Sequence, residues 1–307
     1  MNLFNTIIRK KDNHQYGGSA RQVAFIVGTG RCGTTILSQV LNAHSRICVP
    51  HELQIIVSIG NGDRLYEKFV AGEMSRFKAR NFIGLVERCC PYHFQMFFDY
   101  RRHFKELNYP QADLRKVLTG LFDHICYQYR KEVFIEQTPW HGQRLDVLKG
   151  LFPEMKVIHL VRDPRDVAVS YARTPWWSKD VAANILQWER EVNVIHDFGA
   201  SHPEGFLEVR YEDLVVNPQI ELGRMLALLD LSFEEGMLNP EKLINYEAMF
   251  KIDSSNIHSK EYKKWEQARS QVFFPDSIYS WKKNLDHDFA SLIRPIRETM
   301  VRFRYEP

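Results

Sequence analysis

No stretch of this 307-residue sequence approaches the roughly 18 consecutive apolar residues of a membrane-spanning helix, so a spanning protein is not expected. Residues 1–20 carry Arg9, Lys10, Lys11 and Asp12 where a secretory leader needs its apolar core, and the expected location is the cytoplasm. Cysteine is sparse. Cys32, Cys48, Cys89, Cys90 and Cys126 are odd in number, form no CxxC pair and have no His-x-x-x-His run to complete a metal set. Reduced thiols without a metal are expected, in place of a disulfide framework. Charge is almost balanced, at +3, which argues for local anion sites and against a nucleic-acid-coating surface, so nucleic acid is not an expected partner. Internal repeats, low-complexity tracts and linker-like stretches are also missing. Residues 1–307 therefore read as a single domain, and 44% hydrophobic content is enough for one large core.

Short β-branched or aromatic runs recur at Gln22 to Val27, Ile47 to Val49, Val133 to Glu136, Lys156 to Val161 and Phe206 to Arg210. Between them lie helical patterns at Thr34 to Ala43, Gln111 to Tyr129, Val181 to Phe198, Ile220 to Leu229 and Phe289 to Val301. The alternation predicts an α/β fold, a parallel P-loop-like sheet flanked by helices. About eighty residues separate Glu52 from Glu136, far more than a βαβ connection requires. Their pattern is largely helical and rich in aromatics and Arg, so residues 55–130 or so read as an insertion on the acceptor side.

The run Val23-Ala24-Phe25-Ile26-Val27-Gly28-Thr29-Gly30-Arg31-Cys32-Gly33-Thr34-Thr35 is an apolar strand passing through a glycine turn into a hydroxyl-rich helix start. Gly28 and Gly33 have P-loop spacing, and small residues there let successive backbone N–H groups face an anion at the helix N-terminus. Such turns also occur merely to pack a helix on a sheet. The Walker pattern places Lys directly after the second glycine, whereas Thr34 stands here and Arg31 is the loop's only cation. A nucleotide with a 5′-phosphate-like group fits this loop, and Mg-ATP fits poorly.

A second strand, turn and helix follows at Lys156-Val157-Ile158-His159-Leu160-Val161-Arg162-Asp163-Pro164-Arg165-Asp166-Val167-Ala168-Val169-Ser170. Arg162 ends the strand, on the side where an open α/β sheet has its ligand crevice, and its planar fork suits bidentate phosphate binding. Ser170 lies two helical turns on, where its hydroxyl could donate to the same group. The competing use of Arg162 is a structural pair with Asp163 or Asp166.

Taken together, Gly28 to Thr35, Val161-Arg162-Asp163-Pro164-Arg165 and Ser170 resemble the sulfotransferases that use 3′-phosphoadenosine 5′-phosphosulfate (PAPS), whose product is 3′-phosphoadenosine 5′-phosphate (PAP). The resemblance implies that Gly28, Thr29, Gly30, Arg31, Cys32, Gly33, Thr34 and Thr35 hold the 5′-phosphosulfate, and that Arg162 and Ser170 hold the 3′-phosphate. It extends from about Val23 to Leu285 and is weakest in the insertion. Tyr211, in Arg210-Tyr211-Glu212-Asp213-Leu214, matches a tyrosine beside the adenine. Ser280-Trp281-Lys282-Lys283 resembles the nucleotide-covering loop, with Ser280 where many relatives have a cation and Lys282 as its substitute. Cys32 and Gly30 replace a usual Ser and a frequent Pro, and Gln137 stands where members often carry Lys on the leaving phosphate oxygen.

Sulfuryl transfer by such an enzyme needs positioning, cations and a base for the acceptor hydroxyl's proton. Val49-Pro50-His51-Glu52 follows the second strand. The closest motif resemblance is to the tyrosylprotein and bacterial small-molecule branch, and in tyrosylprotein and polyketide-type members a Glu at this distance from the loop is the base, which implies that role for Glu52. His51 is the competitor, since neighbours in an extended segment face opposite ways. Arg31 would neutralise charge on the sulfuryl oxygens. The resemblance implies metal-independent transfer from PAPS to a hydroxyl of a small molecule, sugar, lipid or protein tyrosine. A P-loop kinase-like phosphotransferase and a non-catalytic PAP-binding protein are the alternatives. Oligomeric state is not encoded in these motifs.

Overall fold

In the computed structural model, which describes residues 22–50, 52–53, 114–175, 177–239, 272–283 and 286–307, the five apolar runs pair into one parallel sheet. The strands are β1 (Val23–Gly28), β2 (Ile47–Cys48), β3 (Val133–Glu136), β4 (Lys156–Val161) and β5 (Phe206–Arg210), in the order β2-β3-β1-β4-β5. All six residues of the central β1 are buried, as expected of a parallel strand covered on both faces. From β1 the chain passes to the edge strand β2, returns inward to β3 beside β1, then crosses to β4 on the other side of β1. The switch point lies between β1 and β4, paired from Ala24 opposite Lys156 to Gly28 opposite Leu160, and the carboxyl ends of those strands open the crevice.

Alternate side chains divide between two cores. On one face Ala24, Ile26, Ile135, Ile158, Leu160 and Val209 pack under α1 (Thr34–Asn42), and that cluster also takes in residues of later helices. On the other, Val161 joins the long α5 (Val181–Ser201) through Ile185, Trp188 and Val192, closed by the C-terminal Phe289, Ile293, Met300 and Phe303. The intervening helices are α2 (Leu114–Gln128), α3 (Leu145–Leu151) and α4 (Pro164–Ala172). After β5 come α6 (Tyr211–Val216), α7 (Pro218–Leu228), α8 (Phe289–Ile293) and α9 (Arg297–Arg302).

The apolar spacing predicts one helix from Phe289 to Val301, whereas the chain forms α8, a tighter turn over Arg294–Ile296 and α9. Pro295 is the reason: it has no N–H to donate and its ring crowds the preceding turn. Of the predicted insertion, residues 114–130 are described and carry α2; residues 55–113, with Cys89 and Cys90, lie outside the described residues. Cys32, Cys48 and Cys126 are buried thiols outside any disulfide. Among the described residues no helix is long and apolar enough to cross a membrane, and no cluster of three or more His, Cys, Asp or Glu is placed to hold a metal ion.

Candidate active site

Helix α1 starts with no side-chain cap and no acidic residue in its first turn, so its opening N–H groups keep their positive end exposed to the crevice. The loop feeding it turns through two left-handed residues, Arg31 at φ 69° and Gly33 at φ 107°. At Gly33 a side chain would also be driven into the Tyr211 ring, since a Cβ there would lie 2.5 Å from Cε2. Arg31 tolerates that backbone at a cost of about 1 kcal/mol, the kind of local strain that is kept where a loop must curl its N–H groups inward. Gly30 meets a different limit. A Cβ on it would stand 2.3 Å from the Tyr171 hydroxyl, at one end of a ladder in which Tyr171 stacks on Trp177 and Trp177 on Trp140.

Helix α4 starts in the opposite manner. Asp163 caps it by accepting from the Arg165 N–H at 2.9 Å, Pro164 occupies the first turn, and both Asp163 oxygens also bind the Arg165 guanidinium. Asp163 is thus taken by Arg165, and of the two candidate carboxylates Arg162 pairs with Asp166. The Arg162 carbonyl accepts from the buried Trp188 indole at 2.9 Å, which ties the strand exit to the core. Its guanidinium donates to the Arg31 carbonyl at 3.2 Å and to the Ser277 carbonyl at 2.6 Å, sits 4.8 Å from the Tyr211 ring centre and pairs with Asp166 at 3.6 Å. The Nε of Arg162 is buried with no hydrogen-bond partner. Arg31 Nε donates to Ser170 Oγ at 3.0 Å, so the two strand-end motifs meet directly.

The structure thus brings Arg31, Arg162, Ser170 and Tyr211 together around the β1 and β4 ends. Gly28 ends β1, and Thr29 and Thr34 are buried beside it with Thr35 partly exposed. The Thr29 hydroxyl has no hydrogen-bond partner, and neither does the Oε1 of the buried Gln137. Cys32 points inward; burial pushes its thiol up to about 12 despite the nearby Arg162, so it is a packing residue and not a nucleophile. Tyr211 bonds Ser277 through its hydroxyl at 3.0 Å. Trp281 packs with its ring centre 4.0 Å from the Arg165 guanidinium, and its backbone N–H together with the Ser280 hydroxyl donates to Asp166 Oδ1. Burial raises the Asp166 pKa, against the pull of Arg162 and those donors. Lys282 is exposed, with its Nζ 5.1 Å from the Tyr279 ring centre.

Glu52 is partly exposed at the β2 and β3 ends, and His51 lies outside the described residues. On one side of Glu52, Asn42 holds Val49 by both its N–H and its carbonyl; on the other, the Leu53 N–H donates to Glu136 Oε1 at 2.9 Å. Glu136 is buried, yet the His141 ring and the Thr138 donors outweigh desolvation and hold its carboxyl below the usual range. Motif reading did not find Ser277, Asp166 as the anchor of Trp281, the aromatic ladder or the Glu136 cluster. Only the last left a trace in sequence, an acid at the end of an otherwise apolar strand.

Residues 24–235 match the model of the sulfotransferase family. The chain belongs to that family. Protein-tyrosine sulfotransferase A of Caenorhabditis elegans is 23% identical over 292 residues, covering 92% of this chain and 67% of that protein. Nodulation protein NoeE of Sinorhizobium fredii is 26% identical over 227 residues, and the match spans 67% of this sulfotransferase and 49% of the nodulation protein. The sulfotransferase domain of the Synechococcus PCC 7002 olefin synthase has the same fold, with a TM-score of 0.62 at 22% identity over 95% of this chain and 99% of that domain. The domain from the curacin biosynthetic pathway gives 0.62 at 19% identity, over 94% and 99%.

Proposed function

We propose that this sulfotransferase moves a sulfuryl group from PAPS to an acceptor hydroxyl, in a metal-independent in-line transfer with Glu52 as the base. The observation that carries the reading is the pair of anion sites at the ends of adjacent central strands, joined by the Arg31–Ser170 bond and by Arg162 on the Arg31 carbonyl. A nucleotide phosphorylated at both its 5′ and 3′ positions fits that pair. The uncapped α1, the partnerless Thr29 hydroxyl and the partnerless Arg162 Nε are donors that such a ligand would satisfy.

In this reading PAPS supplies the sulfuryl group and a phosphate leaving group. Residues 28–35 hold the 5′ end, Arg162 and Ser170 hold the 3′-phosphate, and Tyr211 lies beside the adenine. Trp281 covers the nucleotide from a loop that Asp166 holds in place, with the exposed Lys282 beside it. Arg31 stabilises charge on the sulfuryl oxygens, and Glu52, with His51 as the competing base, accepts the acceptor's proton as its oxygen attacks sulfur. Gln137 offers an amide donor toward the leaving oxygen without the charge of a lysine.

The acceptor is a hydroxyl of a small molecule, sugar, lipid or protein tyrosine. Incubation with PAPS and a panel of a tyrosine peptide, a phenol, a monosaccharide and a long-chain alcohol is expected to give PAP together with a sulfated product from at least one of them. PAP binding with no sulfated product from any acceptor would favour a non-catalytic nucleotide-binding protein, the reading that the neutral Gln137 supports.

A further inference from the structure

We infer that Glu136 is a positioning residue for the base, fixing Glu52 through the peptide that joins it to Leu53. The inference rests on the reading of Glu52 as base given above. A carboxylate that is 2% exposed is costly unless every oxygen is engaged, and Glu136 meets that condition. Its Oε2 accepts from the Thr138 N–H at 2.8 Å and lies 2.6 Å from His141 Nδ1. Its Oε1 accepts from the Thr138 hydroxyl at 2.7 Å and from the Leu53 N–H at 2.9 Å. Three of these partners belong to the turn that follows β3, where a threonine or asparagine could serve as well. The fourth reaches a different part of the chain, and it is the residue directly after Glu52.

Holding the Leu53 N–H fixes the plane of the Glu52–Leu53 peptide, because that bond does not rotate. Leu53 is fully buried, and Asn42 holds Val49 on the other side, so the partly exposed Glu52 stands between two anchored points. The anchor is itself rigid. His141 packs edge-on against Phe25, and Phe25 is the β1 residue directly opposite Glu136 in the sheet. A continuous set of contacts therefore runs from the strand that carries the sulfate-binding loop to the backbone of Glu52. Displacing a reacting group by about 1 Å can cost on the order of 100-fold in rate, which sets the scale of what the contact protects.

The test is a double-variant cycle on the whole protein, using PAPS and the best acceptor of the panel above. Glu136→Gln is expected to lower kcat by about tenfold to a hundredfold, with KM for PAPS and the PAP-induced thermal shift nearly unchanged. In a Glu52→Gln background, adding Glu136→Gln is expected to cost no more than about twofold further. An unchanged kcat in the single variant, or its full loss repeated in the double variant, would overturn the positioning role. Failure of the base reading shows separately, as Glu52→Gln alone leaving kcat intact. Should Glu136→Gln not fold, Thr138→Val removes one donor to Glu136 Oε1 and keeps the charge. It is expected to give a smaller drop in kcat that again vanishes in the Glu52→Gln background, and its persistence there overturns the role.

Discussion

Glu52→Gln is expected to abolish most sulfuryl transfer while leaving PAP binding unchanged. A positioned general base contributes about 10² to 10⁴ in rate, and an amide of the same size cannot take the acceptor's proton. The proposed contacts to the two phosphates lie at the β1 and β4 ends, whereas Glu52 follows β2 beside the end of β3, so the two readouts separate. The comparison should be made with saturating PAPS, so that kcat reports the chemical step. Unchanged transfer would remove Glu52 from the chemistry and leave His51 as the remaining candidate of that segment.

Arg162→Ala is expected to weaken PAP by about 2–4 kcal/mol, roughly 30- to 1000-fold in Kd, and adenosine 5′-phosphate far less. The side chain is only 14% exposed and pairs with Asp166 at 3.6 Å, and its buried Nε, which has no hydrogen-bond partner, is the donor that a 3′-phosphate would satisfy. Its contacts to the Arg31 and Ser277 carbonyls also hold the first loop and the segment leading to Trp281, so a modest common loss for both nucleotides is part of the expectation. The discriminating quantity is the difference between the ligands, measured by calorimetry. Equal losses would refute the assignment of Arg162 to the 3′-phosphate.

Much of the fold was legible because β1 to β3, and β4 after its first residue, are buried and read as near-continuous apolar runs, while the partly buried β5 still carries aromatic and β-branched residues. All five are placed by β-branched and aromatic content. The glycine loop, Arg162 and Ser170 could be read because each is set by local geometry, a strand exit or a helical repeat. The C-terminal helix was misread because its apolar positions keep helical spacing straight through Pro295. Contacts between distant segments left no periodic signal. Arg162 and Ser277 are 115 positions apart, and Asp166 and Trp281 likewise 115. Ser280 shows what the missing information changes: in sequence it is a lost cation, whereas in the structure its hydroxyl ties the Trp281 loop to α4. Leu53 and Glu136 make the same point across 83 positions. An acid ending a buried strand announces that some partner exists without saying which.

One ligand phosphorylated at both its 5′ and 3′ positions is expected to fill the β1 and β4 sites together. Thermal unfolding with PAP, adenosine 5′-phosphate and Mg-ATP, each at the same concentration, tests it most directly. At about a hundred times its dissociation constant a ligand adds roughly 2.7 kcal/mol, a shift of several degrees for a domain of this size. PAP is expected to give that shift, adenosine 5′-phosphate a smaller one and Mg-ATP little. Stabilisation by Mg-ATP alone, or equal stabilisation by PAP and adenosine 5′-phosphate, would contradict that expectation.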